Sequence, residues 1–233
     1  MKNRTAERWG HEFACQRVRA HFPSRILGGY VSSKLRTDPM FPTAYSLLRD
    51  SSEPIIDLGC GIGLLPFYLR ERNLRLPIVG LDCDEGKIER ARAIAAGYDN
   101  LEFVAQDLRQ PMAARGTILL FDVLHYLRPT EQTALLRQLV SCVAPGGMLL
   151  LRDCPRDGNL RYWVTYLVER FGQLVSWNLA GKLYYPSRES IGAAFAASQF
   201  CLTTKALCGG TPFNSHLFLF RHRPVKDAAV LRT

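Results

Sequence analysis

A run of glycines at alternate positions limits what the first part of this chain can form. Gly59, Gly61 and Gly63 follow an apolar segment that begins at residue 55, and they precede a stretch with helical apolar spacing. Glycine permits a sharp turn from strand to helix and lets a ligand approach the main chain where a Cβ would collide. Asp57, near the carboxyl end of the strand, places an acceptor in the same crevice. The pattern predicts a ligand-binding turn.

The spacing of the glycines separates two kinds of cofactor. A dinucleotide site has its third glycine at position 64, where the helix must lie close under the pyrophosphate, but residue 64 is Leu. The glycines therefore fit a ligand without phosphates better. The motif resembles the acid-x-Gly-x-Gly-x-Gly motif of class I S-adenosylmethionine (SAM)-dependent methyltransferases. The resemblance implies a SAM site lined by Asp57, Gly59, Cys60, Gly61 and Gly63.

Apolar runs alternate with helix-like segments over the middle of the chain, which predicts parallel strands joined by right-handed crossovers. Strands are expected near residues 55–58, 77–82, 101–105, 118–121 and 148–151. Two later strand-like runs, 200–207 and 216–221, predict an antiparallel hairpin. The expected fold class is α/β: a doubly wound, mostly parallel, seven-stranded Rossmann-like sheet with a C-terminal antiparallel hairpin, as in the methyltransferases that the chain resembles.

The expected domain organisation is one SAM-binding methyltransferase domain over residues 51–223. A helical or loop cover over residues 1–50 precedes it, a helical lid insert lies at about 154–186, and residues 224–233 form a flexible tail.

Acidic residues follow successive predicted strands. Asp82 lies after the second strand, at the distance from the glycines at which a carboxylate meets a ribose, and Cys83 is expected to line the same site without reacting. The resemblance implies that Asp107, beside Leu108, faces the adenine amino group. Asp122, after the fourth strand, is expected either to hold the methionine end of SAM or to cap the next turn. The alternative for Asp57, Asp82 and Asp107 is that acids commonly end strands and open turns.

His125 is the candidate catalytic base because it follows the fourth strand at the edge where ligands bind in such folds. Methyl transfer is an in-line displacement, so neither a metal nor a covalent intermediate is required, and a base helps only if the acceptor must lose a proton. The alternative is that His125 hydrogen-bonds a neighbouring loop.

The insert from residue 159 onward is rich in aromatic residues at helical spacing. Core packing is the default interpretation, but the stripe adjoins the edge where an acceptor must enter. We therefore expect a lid over an apolar or aromatic substrate, with membrane-surface contact as a further alternative. The candidate substrate-binding residues here are Tyr126, Trp163 and Tyr185.

Residues 28–42 mix turn-forming residues with Tyr30 and Arg36, which are two further substrate-binding candidates. The composition favours an ordinary polar loop. The segment also resembles, faintly, methyltransferases of aryl-polyene and related pigment pathways. That resemblance implies an aromatic acceptor, carried on an acidic acyl carrier protein that the formal charge of +9 could attract.

Composition excludes several classes of protein. No stretch of about eighteen apolar residues exists and the start of the chain is polar, which predicts a cytoplasmic protein without a membrane span. Seven cysteines without a C-x-x-C pair argue against a zinc site and a disulfide framework. The basic residues are scattered, so no nucleic-acid partner is expected.

Three rival functions remain open. An RNA or protein methyltransferase fits the charge, but Phe-Asp-Val-Leu-His stands where amino-group methylators have an Asn-Pro-Pro-Tyr type of signature. A nicotinamide-dependent oxidoreductase is disfavoured by the leucine at position 64. The third rival is a non-catalytic domain that binds the cofactor or a partner.

Overall fold

The computed structural model of the protein describes residues 2–158, 160–174, 182–195, 199–208 and 211–223. The predicted tail, 224–233, lies outside the described residues. The helices are α1 (Lys2–Ala20), α2 (Arg25–Thr37), α3 (Met40–Leu48), α4 (Leu64–Glu71), α5 (Glu85–Ala95), α6 (Pro129–Cys142), α7 (Leu160–Leu174) and α8 (Arg188–Ala193). The strands are β1 (Ile55–Leu58), β2 (Ile78–Asp82), β3 (Leu101–Ala105), β4 (Thr117–Phe121), β5 (Met148–Asp153), β6 (Phe200–Ala206) and β7 (His216–His222).

The strands form one seven-stranded sheet in the order β3-β2-β1-β4-β5-β7-β6. β1 to β5 are parallel, with Ile55 in register with Ile78 on one side and Thr117 on the other. β7 runs antiparallel to both β5 and β6. The strand order reverses between β1 and β4, so a crevice opens at their carboxyl ends, directly beside the glycine turn. The predicted fold class is confirmed.

Alternate residues of the central strands supply two separate cores, one on each face of the sheet. Ile55 packs with buried side chains of α1 to α5, whereas Ile56 packs with those of α6 and α8. Because parallel strands are covered on both faces, they are nearly continuous apolar runs. This layering leaves the ends of the strands, rather than the faces, for polar groups.

The interpretation of residues 28–42 as a polar loop is wrong, since most of them lie in α2 and α3. Ser24 caps α2 by accepting from the amide of Leu27, and Val31 and Leu35 are fully buried. A Cβ on Gly28 would lie 2.2 Å from Cζ of Arg19 on α1. The glycine that suggested a turn therefore lets two helices approach each other.

Two histidines, one in α1 and one just after it, contact tyrosines later in the chain. His11 Nδ1 lies 2.8 Å from the hydroxyl of Tyr68, which also accepts from Arg72 at 2.9 Å. His21, just after α1, has its Nε2 2.7 Å from the hydroxyl of Tyr98, which follows α5. Burial lowers the pKa of both His11 and His21, and the charge of Arg72 lowers that of His11 further. Both imidazoles are therefore more easily protonated in the unfolded chain.

We expect the burial of these two histidines to make the fold less stable in acid. Because the folded pKa of each histidine lies below its unfolded value, the unfolded chain binds more protons as the pH falls through about 6.5, and the free energy of unfolding decreases. Denaturant unfolding at a series of pH values, comparing wild type with His11→Gln/His21→Gln, isolates the effect from other titrating groups. An equally steep loss of stability in the double variant would contradict the assignment.

No helix among the described residues is both long enough and apolar enough to cross a membrane.

Candidate functional site

The glycine turn between β1 and α4 leaves main chain open at one position. Gly59 and Gly61 both have positive φ, 74° and 57°. A Cβ on Gly59 would lie 2.3 Å from Cγ2 of Val123, whereas one on Gly61 would meet nothing within 4 Å. Gly59 is thus required for packing against the β4 loop. Gly61 instead presents bare backbone to open space, as a ligand cradle needs.

Asp82 and its neighbour in β2 accept hydrogen bonds from the glycine turn. The amides of Gly59 and Cys60 donate to the carbonyl of Leu81, at 2.7 and 3.0 Å, which pins the turn to β2. One carboxylate oxygen of Asp82 accepts from the amide of Gly61 at 2.8 Å, and the other accepts from that of Asp84 at 3.0 Å. A carboxylate has about four acceptor sites, so Asp82 keeps capacity for a ligand hydroxyl. The structure brings Asp82 and the glycines together.

Asp57 is buried beneath the same turn, with 4% of its surface exposed. Burial, and secondarily the charge of Asp82, raises the pKa of Asp57 to about 7. Burial also raises the pKa of the Cys60 thiol, with Asp57 and Asp82 adding to it, so this thiol stays protonated. Cys83, in contrast, is exposed. Of the two predicted cysteines, only Cys60 lies in the turn itself.

Asp107 lies after β3 and is already engaged by a cation. Its carboxylate pairs with Arg109, from Nε to Oδ1 at 2.9 Å and from Nη2 to Oδ2 at 2.5 Å. The hydrogen bonds from Arg109 hold the pKa of Asp107 below its usual range. About a third of the Asp107 side chain is exposed, and the neighbouring Leu108 is buried in the core on the α6 face. An adenine amino group would have to share Asp107 with Arg109.

Asp122 belongs to an ionic cluster that the sequence did not reveal. Arg152, buried at the end of β5, donates from Nη1 to Asp38 at 2.6 Å and from Nη2 to Asp122. Lys34 on α2 lies 3.8 Å from the same Asp38 carboxylate. The cluster of Lys34, Asp38, Asp122 and Arg152 therefore ties the end of α2 to the carboxyl ends of β4 and β5. Asp122 also has a positive φ of 58°.

Only one of the two predicted residues of α2 joins this cluster. Tyr30 precedes Lys34 by one helical turn and interacts with it electrostatically. Arg36 lies elsewhere on the helix and is exposed to solvent. Its charge acts on the thiol of Cys15 in α1. Lys34, and not the predicted Arg36, thus joins the ionic cluster at the sheet edge.

His125 lies in a short 3-10 turn after β4, with 3% of its surface exposed. Its Nδ1 is 2.9 Å from Oδ1 of Asp153, which is fully buried at the end of β5. The imidazole stacks on Tyr185, with centroids 5.2 Å apart and planes 17° from parallel, and contacts Tyr126 at 4.3 Å. Of the predicted site residues, His125, Tyr126 and Tyr185 are thus brought together.

Helix α7 packs aromatic side chains on Tyr185, which in turn stacks on this histidine. Tyr162 and Tyr166 turn inward and contact Tyr185, at centroid distances of 5.4 and 6.2 Å. Trp163 packs edge-on against both tyrosines but is 53% exposed. The predicted insert is therefore helical over residues 160–174, while its residues 175–181 lie outside the described part of the chain. The aromatic cover is defined as Tyr126, Tyr162, Tyr166 and Tyr185.

Comparison with known proteins decides the family. A family described as a methyltransferase domain matches residues 33–205, well over half of the chain. The chain belongs to this methyltransferase domain family. The match confirms the prediction of a class I methyltransferase domain, for which SAM is the methyl donor.

Curated relatives match parts of the methyltransferase domain. Carboxy-S-adenosyl-L-methionine synthase of Wolinella succinogenes is 27% identical over 146 residues, which is 57% of this chain and 60% of that protein. Trans-aconitate 2-methyltransferase of Sinorhizobium fredii is 34% identical over 99 residues, covering 42% of this chain and 37% of that protein. The chain therefore spans three-fifths or less of the length of these relatives.

Solved structures show the same fold. Magnesium protoporphyrin IX methyltransferase of Synechocystis PCC 6803 with bound S-adenosylhomocysteine (SAH) superposes with a TM-score of 0.64 at 18% identity, over 90% of this chain and 93% of that one. The N-methyltransferase NodS of Bradyrhizobium japonicum superposes with a TM-score of 0.59 at 15% identity. The superposition covers 91% of this chain and all of NodS. At these identities the likeness concerns the fold alone.

Proposed function

We propose that this protein transfers a methyl group from SAM to a small, aromatic acceptor, with His125 as the base. The observation that carries the proposal is a juxtaposition at one edge of the sheet. The glycine turn with Asp82 follows β1 and β2, and His125 under its aromatic cover follows the adjacent β4. A cofactor site and an acceptor site would therefore lie side by side at this edge of the sheet.

The cofactor half of the proposal rests on the glycine turn. The open backbone at Gly61 admits a ligand at close range, and Asp82 retains acceptor capacity for ribose hydroxyls. Asp57, buried beneath the turn, and Asp122, which is paired with Arg152 after β4, are further proposed residues of the cofactor site. SAM would supply an electrophilic methyl group here, and the protein supplies alignment of the acceptor.

The acceptor half rests on the aromatic cover. Tyr126 and Tyr185 contact His125, the tyrosines of α7 pack on Tyr185, and such surfaces suit a planar apolar substrate. We propose that α7 is the lid of this site and that α2 and α3 cover the cofactor side. The named substrates of the relatives include small molecules such as trans-aconitate, which supports a small acceptor here. A more specific form of this proposal is an acceptor that is bound to an acyl carrier protein or belongs to a pigment pathway.

Removing the imidazole tests the base directly. We expect His125→Ala to bind SAM within about threefold of wild type but to lower turnover about a hundredfold, because a base contributes this much when the acceptor must lose a proton. Methyl release from isotopically labelled SAM, with catechol and caffeic acid as acceptors, measures turnover, and calorimetry measures SAM affinity. Unchanged turnover would remove His125 from the mechanism.

The same assay separates the rival functions. An RNA or protein methyltransferase would methylate total RNA or a peptide mixture but not the phenols. A non-catalytic domain would bind SAM and release no labelled methyl group to any of these acceptors. Neither result is expected for a site whose base lies beneath tyrosine rings.

A further inference from the structure

The carboxylate of Asp153 is held more tightly than a solvent-facing acid would be. Asp153 is fully buried as the last residue of β5, where its main chain is in register with His216 of β7. Its Oδ1 accepts from the amide of Cys154 at 2.8 Å and lies 2.9 Å from Nδ1 of His125. Both backbone and side chain of Asp153 are thus fixed before any substrate binds.

The turn that carries His125 is held just as firmly. Gln132 donates from Nε2 to the carbonyls of Leu124 and Leu127, at 2.9 and 3.0 Å, on either side of the histidine. The carbonyl of His125 accepts from the amide of Tyr184 at 2.8 Å. With the main chain fixed in this way, the contacts of the ring decide which nitrogen carries the proton.

A carboxylate can only accept hydrogen bonds, so the contact with Asp153 places a proton on Nδ1 of His125. The second ring nitrogen, Nε2, then carries the lone pair of the neutral imidazole. When Nε2 takes a proton, the buried carboxylate also stabilises the imidazolium that forms. Among the titratable groups that contact the ring are Asp153, Tyr126 and Tyr185.

We infer that Asp153 is a positioning residue: it fixes His125 so that Nε2 takes the proton of an acceptor hydroxyl, an inference that rests on the proposed function. The acceptor oxygen forms its bond to the methyl carbon as the carbon–sulfur bond breaks. The hydroxyl proton passes to Nε2 and then to solvent, and SAH leaves uncharged at sulfur. An amine attacks through its own lone pair before losing a proton, so a fixed base favours hydroxyl acceptors.

The tautomer can be read without any acceptor. In protein labelled with ¹⁵N-histidine, with the signal assigned by its absence from His125→Gln, we expect the wild-type ring to be protonated on Nδ1 at neutral pH. Asp153→Asn should change this signal. A wild-type ring protonated on Nε2 alone, or a signal that Asp153→Asn leaves unchanged, would overturn the inference.

Turnover tests the role in catalysis. With catechol and caffeic acid as acceptors, we expect Asp153→Asn to lower kcat about a hundredfold while SAM affinity changes less than about threefold. The exposed pair of Asp50 with Arg49 supplies the control, since Asp50→Asn should leave both quantities unchanged. Thermal unfolding by circular dichroism monitors whether each variant folds.

A double variant separates positioning from a merely structural role. If Asp153 acts through His125, Asp153→Asn should cost little further activity in a His125→Gln background, because residues that act as a unit are not additive. An undiminished further loss would overturn the inference. A protein that binds SAM but methylates none of the phenols would overturn the hydroxyl assignment, whereas a protein that does not bind SAM would overturn the proposed function itself.

Discussion

Asp82→Ala is expected to lower the affinity for SAM about a thousandfold. The substitution removes the carboxylate that would bind the ribose, and it releases the amides of Gly61 and Asp84 that now shape the turn. Hydrogen bonds to a charged group contribute about 1.5–3 kcal/mol each, so losing two of them accounts for a change of this size. Isothermal titration calorimetry measures the affinity.

The control for this experiment lies on the next helix. Glu85 is an exposed acid whose partner is Arg92, also at the surface. Glu85→Gln changes the charge by the same amount near the same crevice and should leave SAM affinity within about twofold. An Asp82→Ala protein that binds SAM within about threefold of wild type would contradict the assigned role of the carboxylate.

Arg152→Met is expected to destabilise the fold by about 3 kcal/mol. The guanidinium neutralises Asp38 and Asp122, and removing one partner of a buried ion pair leaves uncompensated charge. The Asp38 side chain is 15% exposed and that of Asp122 is 39% exposed, so solvent screens the second contact more than the first. Denaturant unfolding measures the loss.

A compensating variant distinguishes charge from packing. Arg152→Met combined with Asp122→Asn keeps the pair of Lys34 with Asp38 and restores the charge balance of the cluster, and we expect it to recover at least half of the lost stability. The single variant should also loosen α2 from the sheet edge, which amide hydrogen exchange in α2 would report. If the single variant lowered the free energy of unfolding by less than about 1 kcal/mol, the ionic cluster would not be what fixes α2 at the sheet edge.

The sheet was predictable because its signals are local. Each parallel strand is a short apolar run bounded by turn-forming residues, and the glycine motif fixes where the first crossover begins. The same logic located Asp82, since an acid at the end of β2 must lie at the edge that the glycine turn occupies. Period and order along the chain were enough for these features.

The N-terminal helices were harder because two glycines imitate a turn. Gly28 has no turn to make; it lies where α2 crosses Arg19 of α1, and that contact joins residues that sequence spacing does not relate. The predicted Arg36 lies on an exposed part of α2, whereas Lys34 reaches Asp38. Which face of α2 meets the sheet depends on tertiary packing and not on the composition of the segment.

Asp153 and Arg152 were missed although a signal for them existed. They are charged residues at the end of an apolar strand, the pattern that singled out Asp57 and Asp82. Their partners, His125 and Asp38, lie 28 and 114 residues away along the chain. Pairing across that separation is set by the sheet order, which places β4 beside β5 and brings α2 to the same edge.

Calorimetric titration of the purified protein with SAM, SAH and NAD tests the central claim most directly. A glycine turn with open backbone at Gly61, a carboxylate at Asp82 and leucine at position 64 predicts saturable, one-to-one binding of SAM and SAH and no detectable binding of NAD. Tight binding of NAD with no heat from SAM would contradict the account.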